Sequence, residues 1–318
     1  MKLAAKLLKK AKTIALISHT NPDPDTIGST IGLCEILKKL GKTVHLFCDS
    51  ELSESYAFLS AFEGYNKNEA GDFSNYDLVV AVDVPSEDRL GCHLDAFKSH
   101  ANTLRIDHHV SGECGAKVNV VKDYSACALL IYDISKALKV KLNASIATPL
   151  YLAICGDTGI FRNTNTDSVT FEVCSKLFAA GAEFRKVYSE FFDKKTVPYL
   201  KLTSNALLGA DINDKEGFVV LSVSLADYEK YEASLLENIG NLPHSYLNCG
   251  YKIAVILKER EDGIHCSLRS KFEYDVSKVA ETFGGGGHKN ASGCVIVDTL
   301  EGAKKQMKKA ISNYLKSV

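Results

Sequence analysis

The chain has 318 residues, 46% hydrophobic and 24% charged, with a formal net charge of −1. That composition is ordinary for a soluble globular protein and leaves room for two domains with ample cores. No run of about 18 apolar residues occurs, which argues against a membrane-spanning helix.

The charge is uneven. Residues 251–318 hold 12 Lys and Arg against 8 Asp and Glu, and the first 250 hold 26 against 31. An acidic front part suits a cation site, and a basic end suits an anionic ligand. Neither is basic enough for a tight grip on long duplexes. The ten cysteines form no CxxC pair, and Cys34, Cys127, Cys155 and Cys174 fall inside apolar helical patterns. They read as reduced thiols used as small hydrophobes, in a cytoplasmic protein.

Residues 1–12 read as an amphipathic surface helix rather than a signal peptide. A buried strand follows over 13–18. His19-Thr20-Asn21-Pro22-Asp23-Pro24-Asp25-Thr26 then reads as a loop, because two prolines cannot extend a central strand. A helix over 26–40 stops at Gly41, and 44–48 is a second strand. This βαβ start predicts a parallel sheet, with its sites beyond the C-terminal strand ends. Further strands are predicted over 77–82, ending at Asp83, over 102–106, ending at Asp107-His108-His109, and over 118–121. Helices are predicted over 125–139, 144–155, 168–180 and 182–192. Gly156-Asp157-Thr158-Gly159 is a polar break between two of them.

A connecting helix is predicted over 198–208. Strands at 218–223, 251–258 and 264–270 follow, then a short helix over 275–283. Gly284-Gly285-Gly286-Gly287-His288 reads as a ligand-approaching loop, followed by a strand over 294–297 and a Lys-rich final helix.

His19, Asp23 and Asp25, then Asp83, then Asp107-His108-His109, then Asp157 all fall at strand ends or loops of one predicted sheet. On an extended chain, residues two apart share a face, so Asp23 and Asp25 are expected to point into one mouth. The two adjacent histidines point apart, which suggests one metal ligand and one chemical group. Carboxylate and imidazole donors without cysteine suit Mn²⁺ or Mg²⁺ better than structural zinc. So many carboxylates would repel one another unless divalent cations neutralised them, and two such ions would clamp a phosphoryl group. Four glycines in a row cost backbone entropy and make sense where backbone must approach a ligand closely. Arg269 ends a strand nearby and suits phosphate.

Taken together, these residues resemble the DHH phosphoesterase superfamily over nearly the whole chain. The segment from His19 to Asp25 resembles its first motif, Asp83 its second, Asp107-His108-His109 its third and Gly156-Asp157-Thr158-Gly159 its fourth. The glycine run with His288 resembles the GGGH signature of the accompanying DHHA1 domain. Ser18 stands where the family often has Asp, at a position that is not a metal ligand.

The resemblance implies an α/β fold: a parallel-sheet DHH domain with flanking helices, over 1–187, a connecting helix over 188–207, and a smaller α/β DHHA1 domain over 208–318. The active site is expected in the cleft between the domains. His19, Asp23 and Asp83 would hold one Mn²⁺, and Asp25, Asp83, His108 and Asp157 the other, with Asp83 bridging. Mg²⁺ or Co²⁺ would be substitutes. His109 would assist at the scissile phosphate and Asp107 would orient a histidine. Arg269, Gly285, Gly286, Gly287 and His288 would grip the substrate.

Chain length resembles the stand-alone members, which act on pAp, short single-stranded RNA, pApA or cyclic di-AMP and release 5′-mononucleotides. Small nucleotides and a homodimeric partner follow, with no duplex nucleic acid and no membrane. The alternatives are a manganese inorganic pyrophosphatase and a non-catalytic nucleotide sensor on the same fold.

Overall fold

Leu78-Val79-Val80-Ala81-Val82 buries every side chain, as the central strand of a sheet covered on both faces must. The computed structural model builds on runs of this kind and describes all residues except 68, 69, 236 and 238. It divides into two units, Met1–Lys194 and Lys195–Val318.

The first unit runs α1 (Lys2–Lys10), β1 (Thr13–Ser18), α2 (Pro24–Lys39), β2 (Thr43–Cys48), β3 (Tyr65–Lys67), β4 (Leu78–Val82), α3 (Leu94–Ser99), β5 (Thr103–Asp107) and β6 (Val118–Val121). Then come α4 (Cys127–Leu138), α5 (Ala144–Asp157), α6 (Ser168–Ala179) and α7 (Phe184–Val187), which continues as a π-helical turn over Tyr188–Asp193. The strands pair in parallel in the order β3-β2-β1-β4-β5-β6. The chain therefore winds outward from β1 in one direction and from β4 in the other. Loops leaving these two neighbours diverge, which opens a crevice at their C-terminal ends. A large core joins one face of the sheet to α1, α2, α4, α5 and α6. A smaller core under α3 covers the other face. Cys34, Cys127, Cys155 and Cys174 are buried in the helices that cover the first face.

The second unit runs α8 (Val197–Leu208), β7 (Asp211–Asn213), β8 (Phe218–Val223), α9 (Leu225–Lys230), α10 (His244–Asn248), β9 (Ile253–Arg260) and β10 (Gly263–Ser270). It ends with α11 (Ser277–Glu281), β11 (Gly286–His288), β12 (Ala291–Ile296) and α12 (Leu300–Ser317). Its sheet order is β11-β12-β10-β9-β8-β7, antiparallel except for the β8–β9 pair. α11 and α12 cover one face, and α8, α9 and α10 pack on the other. The α8 helix is part of this core, through Leu202 and Ala206.

Three expectations change. α2 begins at Pro24, not Thr26, because proline fits the first helical position and Asp23 caps the helix by accepting from the Thr26 amide at 3.0 Å. The glycine run is not all loop, since Gly286–His288 pairs with β12 as an edge strand. Asp157 is the last residue of α5 rather than part of a break. Among the described residues, no helix is long and apolar enough to cross a membrane.

Candidate metal centre

Asp83 follows β4 directly and takes a left-handed backbone conformation, with φ of 60°. Its amide still completes the ladder by donating to the Ile106 carbonyl at 2.8 Å. The turn aims the carboxylate into the crevice beside β1. There it is almost wholly buried. Oδ2 accepts from the Thr26 hydroxyl at 2.6 Å, and Oδ1 has no hydrogen-bond partner.

Two groups of side chains meet around Asp83. In one, His19 Nε2 lies 3.8 Å from Asp23 Oδ2 and 3.8 Å from Asp83 Oδ2. In the other, His108 Nε2 lies 3.3 Å from Asp157 Oδ2, 3.8 Å from Asp25 Oδ2 and 3.5 Å from Asp83 Oδ1. In the sets His19/Asp23/Asp83, Asp25/His108/Asp157 and Asp83/Asp107/His108/His109, the donor atoms lie within 4.8 Å of one another. Each set could hold a metal ion. Asp23 and Asp25 both reach the crevice around Asp83. The helix begins between them, so they serve different groups.

The supports of these side chains were less visible in the sequence. Asp25 Oδ2 accepts from the Cys127 amide at 2.5 Å and Oδ1 from Ala128 at 3.2 Å, both at the start of α4. Oδ1 also accepts from Ser29 at 2.8 Å. α5 delivers Asp157 because Gly156 lets it approach the first turn of α2. A Cβ there would stand 2.6 Å from Pro24 Cβ. Asn163 and Asn165 donate to the Asp157 carbonyl at 3.0 and 3.2 Å. His108 Nδ1 is 2.9 Å from the Tyr124 carbonyl. A carbonyl only accepts, so Nδ1 carries the proton and Nε2 turns a lone pair toward the carboxylates. His19 Nδ1 faces the Thr20 carbonyl at 2.8 Å and the Arg89 guanidinium at 2.9 Å.

Asp107 lies on a separate branch. Its Oδ1 is 2.8 Å from His109 Nδ1, and its Oδ2 accepts from Arg105 Nε at 3.0 Å. The buried Arg105 also donates to the carbonyls of Gly112, Pro85 and His109, tying together the loops after β4 and β5. Ser18 bonds to Thr30 and Tyr65 and joins none of the ligand groups.

The electrostatics follow the geometry. Burial, and then the charges of Asp25, Asp23 and Asp157, push Asp83 well above the usual carboxylate range. Burial raises Asp25 and Asp157 as well. Burial alone would also raise Asp107, but its bonds to His109 and Arg105 hold it at about 2. Burial would raise Asp23 too, but His19 and the Thr26 amide hold it well below the usual range. Three acids that resist ionisation, around a buried oxygen with no donor, fit divalent cations.

Arg269, Gly285, Gly286, Gly287 and His288 lie in the second unit. Arg269 Nε and Nη2 donate to Asn241 Oδ1 at 3.3 and 3.0 Å. The register puts His288, Ala291, Arg269 and Ala254 in one row across four strands. The glycines have packing reasons. A Cβ at Gly285 would stand 2.2 Å from the Gly293 carbonyl oxygen. One at Gly287, where φ is 137°, would stand 2.7 Å from that of Ala291. At Gly286 the space is open.

Comparisons with known proteins agree on the architecture. The model of the DHH family, N-terminal domain, matches residues 13–154, and that of the DHHA1 domain matches 237–317. The chain is 28% identical over 299 residues to the bifunctional oligoribonuclease and PAP phosphatase NrnA of Thermus thermophilus, covering 93% of this chain and 88% of that one. It is 26% identical to the cyclic-di-AMP phosphodiesterase GdpP of Bacillus subtilis, over 97% of this chain and 49% of the other. Among solved structures, an exopolyphosphatase-related protein from Bacteroides fragilis has the same fold, with a TM-score of 0.92 and 21% identity over 99% of this chain and 96% of that one. RecJ from Thermus thermophilus, solved with Mn²⁺, has a TM-score of 0.57 and 14% identity, over all of this chain and 55% of the other.

Proposed function

Because the chain belongs to the DHH family and carries a DHHA1 domain behind its N-terminal domain, we propose that it is a metal-dependent phosphoesterase of short nucleotides. Its substrates would be pApA and other short oligoribonucleotides, pAp and cyclic di-AMP, and its products 5′-mononucleotides. The observation that carries this reading is Asp83, whose two oxygens face two separate His and carboxylate groups. The relatives named for oligoribonuclease, PAP phosphatase and cyclic-di-AMP phosphodiesterase activity support the nucleotide class.

In this reading His19, Asp23 and Asp83 hold one cation and Asp25, Asp83, His108 and Asp157 hold the second, with Mn²⁺ first and Mg²⁺ or Co²⁺ as substitutes. Divalent cations bound there would neutralise the carboxylates, acidify a water and draw charge from the phosphoryl group. The chain's own residues do the positioning. Tyr124 fixes the tautomer of His108 through its carbonyl, and α4 and Ser29 fix Asp25. Asp107 holds His109 by its Nδ1, and His109 is the more exposed of the two histidines, so it can meet a substrate and move a proton at the leaving oxygen.

Purified protein assayed in parallel with pAp, pApA, short RNA, cyclic di-AMP and pyrophosphate should release AMP from the adenine nucleotides when Mn²⁺ is present. Asp83→Ala and His108→Ala should each abolish that release. Turnover of pyrophosphate alone, or full activity in either variant, would refute the reading.

A further inference from the structure

The acidic balance of the first unit hides a separation of charge. Residues 1–12 hold five lysines and no acid, residues 35–42 three lysines and Glu35, and residues 133–141 three lysines and Asp133. The rest of residues 1–194 holds 11 Lys and Arg against 22 Asp and Glu. The fold brings the three lysine segments together. Lys42 Nζ donates to the Lys9 carbonyl at 2.6 Å, Lys39 Nζ to the Lys141 carbonyl at 3.0 Å, and the Thr43 amide to the Lys12 carbonyl at 2.9 Å. α1 also packs against α4. Every lysine of this patch is exposed except Lys42, which is half-buried. Among the described residues, Lys38 pairs with Glu35 and Lys136 with Asp133, and the other nine form no ion pair. Asp77, which accepts from the Lys12 and Thr13 amides, marks the edge of the patch.

The patch lies at the far end of the unit from the metal centre. α2 starts at Pro24, beside Asp25, and ends at Lys38 and Lys39, so the two sites stand about 24 Å apart at 1.5 Å per residue. Lysines in the last turn of a helix complement its macrodipole, which accounts for Lys9, Lys10, Lys38, Lys39 and Lys136. It does not account for Lys2, in the first turn of α1, where a cation is unfavourable. Nor does it account for Lys6, which meets like charges four residues away on both sides, at Lys2 and Lys10. Such crowding weakens the empty protein and becomes favourable once a polyanion neutralises it.

We propose that this lysine face binds the phosphate backbone of single-stranded RNA longer than the short nucleotides of the reading above. All the cations are lysines, point charges that attract phosphate without the planar fork by which Arg fixes one. The three segments contain no aromatic residue on which a base could stack, so the contacts go to the backbone whatever the base. A lipid surface fits less well. Ala4, Ala5 and Leu8 turn the apolar side of α1 into the core, which leaves Leu3 as the large apolar side chain that α1 exposes. The choice of RNA among polyanions rests on the nucleotide phosphoesterase reading.

The test is fluorescence anisotropy of a labelled oligouridylate of about 24 nucleotides with the full-length protein in EDTA. Five neutralised phosphates would give a slope of about −3.5 in log K against log salt, roughly a hundredfold loss between 50 and 200 mM. The triple variant Lys6→Gln/Lys9→Gln/Lys141→Gln should bind about tenfold or more weakly at 50 mM and lower the slope by about 2, since each lost contact removes about 0.7. Its hydrolysis of pApA with Mn²⁺ should match wild type. Lys305→Gln/Lys309→Gln/Lys316→Gln, on α12, should leave affinity and slope unchanged. Thermal melts confirm each fold, and Lys6→Glu alone, at an exposed helical position, should weaken binding in the same direction if the triple variant does not fold. No binding by wild type, an unchanged slope in the triple variant, or an equal loss in the α12 variant overturns the surface. Tighter binding to phosphatidylserine vesicles, lost in the triple variant, would make a lipid surface the partner and overturn RNA. Because no turnover is needed, the two readings can fail separately. Lysine-dependent RNA binding without hydrolysis would sink the enzyme assignment alone. Hydrolysis of pApA without such binding would sink the surface alone.

Discussion

At the scale of single residues, Asp83 decides how the first unit responds to pH. Its folded pKa lies well above the usual value of 3.8, chiefly because it is buried and then because Asp25, Asp23 and Asp157 crowd it. The folded state therefore binds a proton more tightly than the unfolded chain does. Stability from that proton is complete below the unfolded pKa and is lost as pH rises through the folded one. Asp25 and Asp157 shift the same way, whereas Asp107, held at about 2, and Asp23, held low by His19 despite its burial, contribute stability that is lost only in strong acid. Metal-free protein should thus lose stability as pH rises above about 4, and Mn²⁺ should restore it. Cation at about a hundred times its Kd adds roughly 2.7 kcal/mol. Melting curves in EDTA and in Mn²⁺ at pH 5.5 and 8 check this, with the larger Mn²⁺ shift expected at pH 8. Asp83→Asn should flatten the metal-free pH dependence. A larger Mn²⁺ shift at pH 5.5 would contradict the assignment. His19, Asp83 and Asp107-His108-His109 were legible because they stand at strand ends, and Asp23, Asp25 and Asp157 because they stand where apolar helical runs start or stop. Their supports were not. Thr26, Ser29 and the Tyr124 carbonyl carry no pattern, and Arg105 reads as an ordinary strand residue. Its one signal is a charge two places before Asp107, on the same face of an otherwise apolar strand.

At the scale of elements, the centre depends on where two helices meet. α2 starts at Pro24 beside Asp25, and α5 ends at Asp157, with Gly156 allowing the approach. Gly156→Ala would place a methyl 2.6 Å from Pro24 Cβ, and neither the proline ring nor a helix end can swing aside like a flexible side chain. Overpacking of this kind typically costs about 1–3 kcal/mol. Here it should also part Asp157 from Asp25 and His108. We expect a Tm lowered by several degrees and Mn²⁺ affinity reduced more than about tenfold, a disproportion that a merely structural glycine would not produce. A thermal melt reads the first quantity and calorimetric titration with Mn²⁺ the second, and an unchanged affinity would reject the role. Helices and buried strands were readable from periodicity and caps. The short edge strands β3, β7 and β11 were not, because three residues are too few to show alternation and Gly286-Gly287 has no side chains to alternate. α9 and α10, each less than two turns long, escaped for the same reason.

At the scale of the whole molecule, the sequence placed a connecting segment over 188–207, while the packing tells its two ends apart. Phe191 packs at a tilt against Tyr56 with ring centroids 5.0 Å apart, and Tyr188 and Phe192 pack with it against the first unit's core. Helix α8 starts only after Thr196, whose hydroxyl caps it by accepting from the Tyr199 amide at 3.0 Å, and its buried face belongs to the second unit. The separation between cores therefore falls near Lys194, and each side keeps a core of its own. Residues 1–194 expressed alone should fold cooperatively and show the full Mn²⁺-dependent rise in Tm, because every proposed ligand lies within them. Residues 1–187 should be less stable by several kcal/mol, since losing Phe191 and Phe192 uncovers aromatic surface of about 1.5–3 kcal/mol per side chain. Residues 195–318 alone should melt without regard to Mn²⁺. A fragment 1–187 as stable as 1–194 would return the boundary to the first residue of the π-helical turn. A Mn²⁺ response in 195–318 would show that the cation has a site outside the DHH domain.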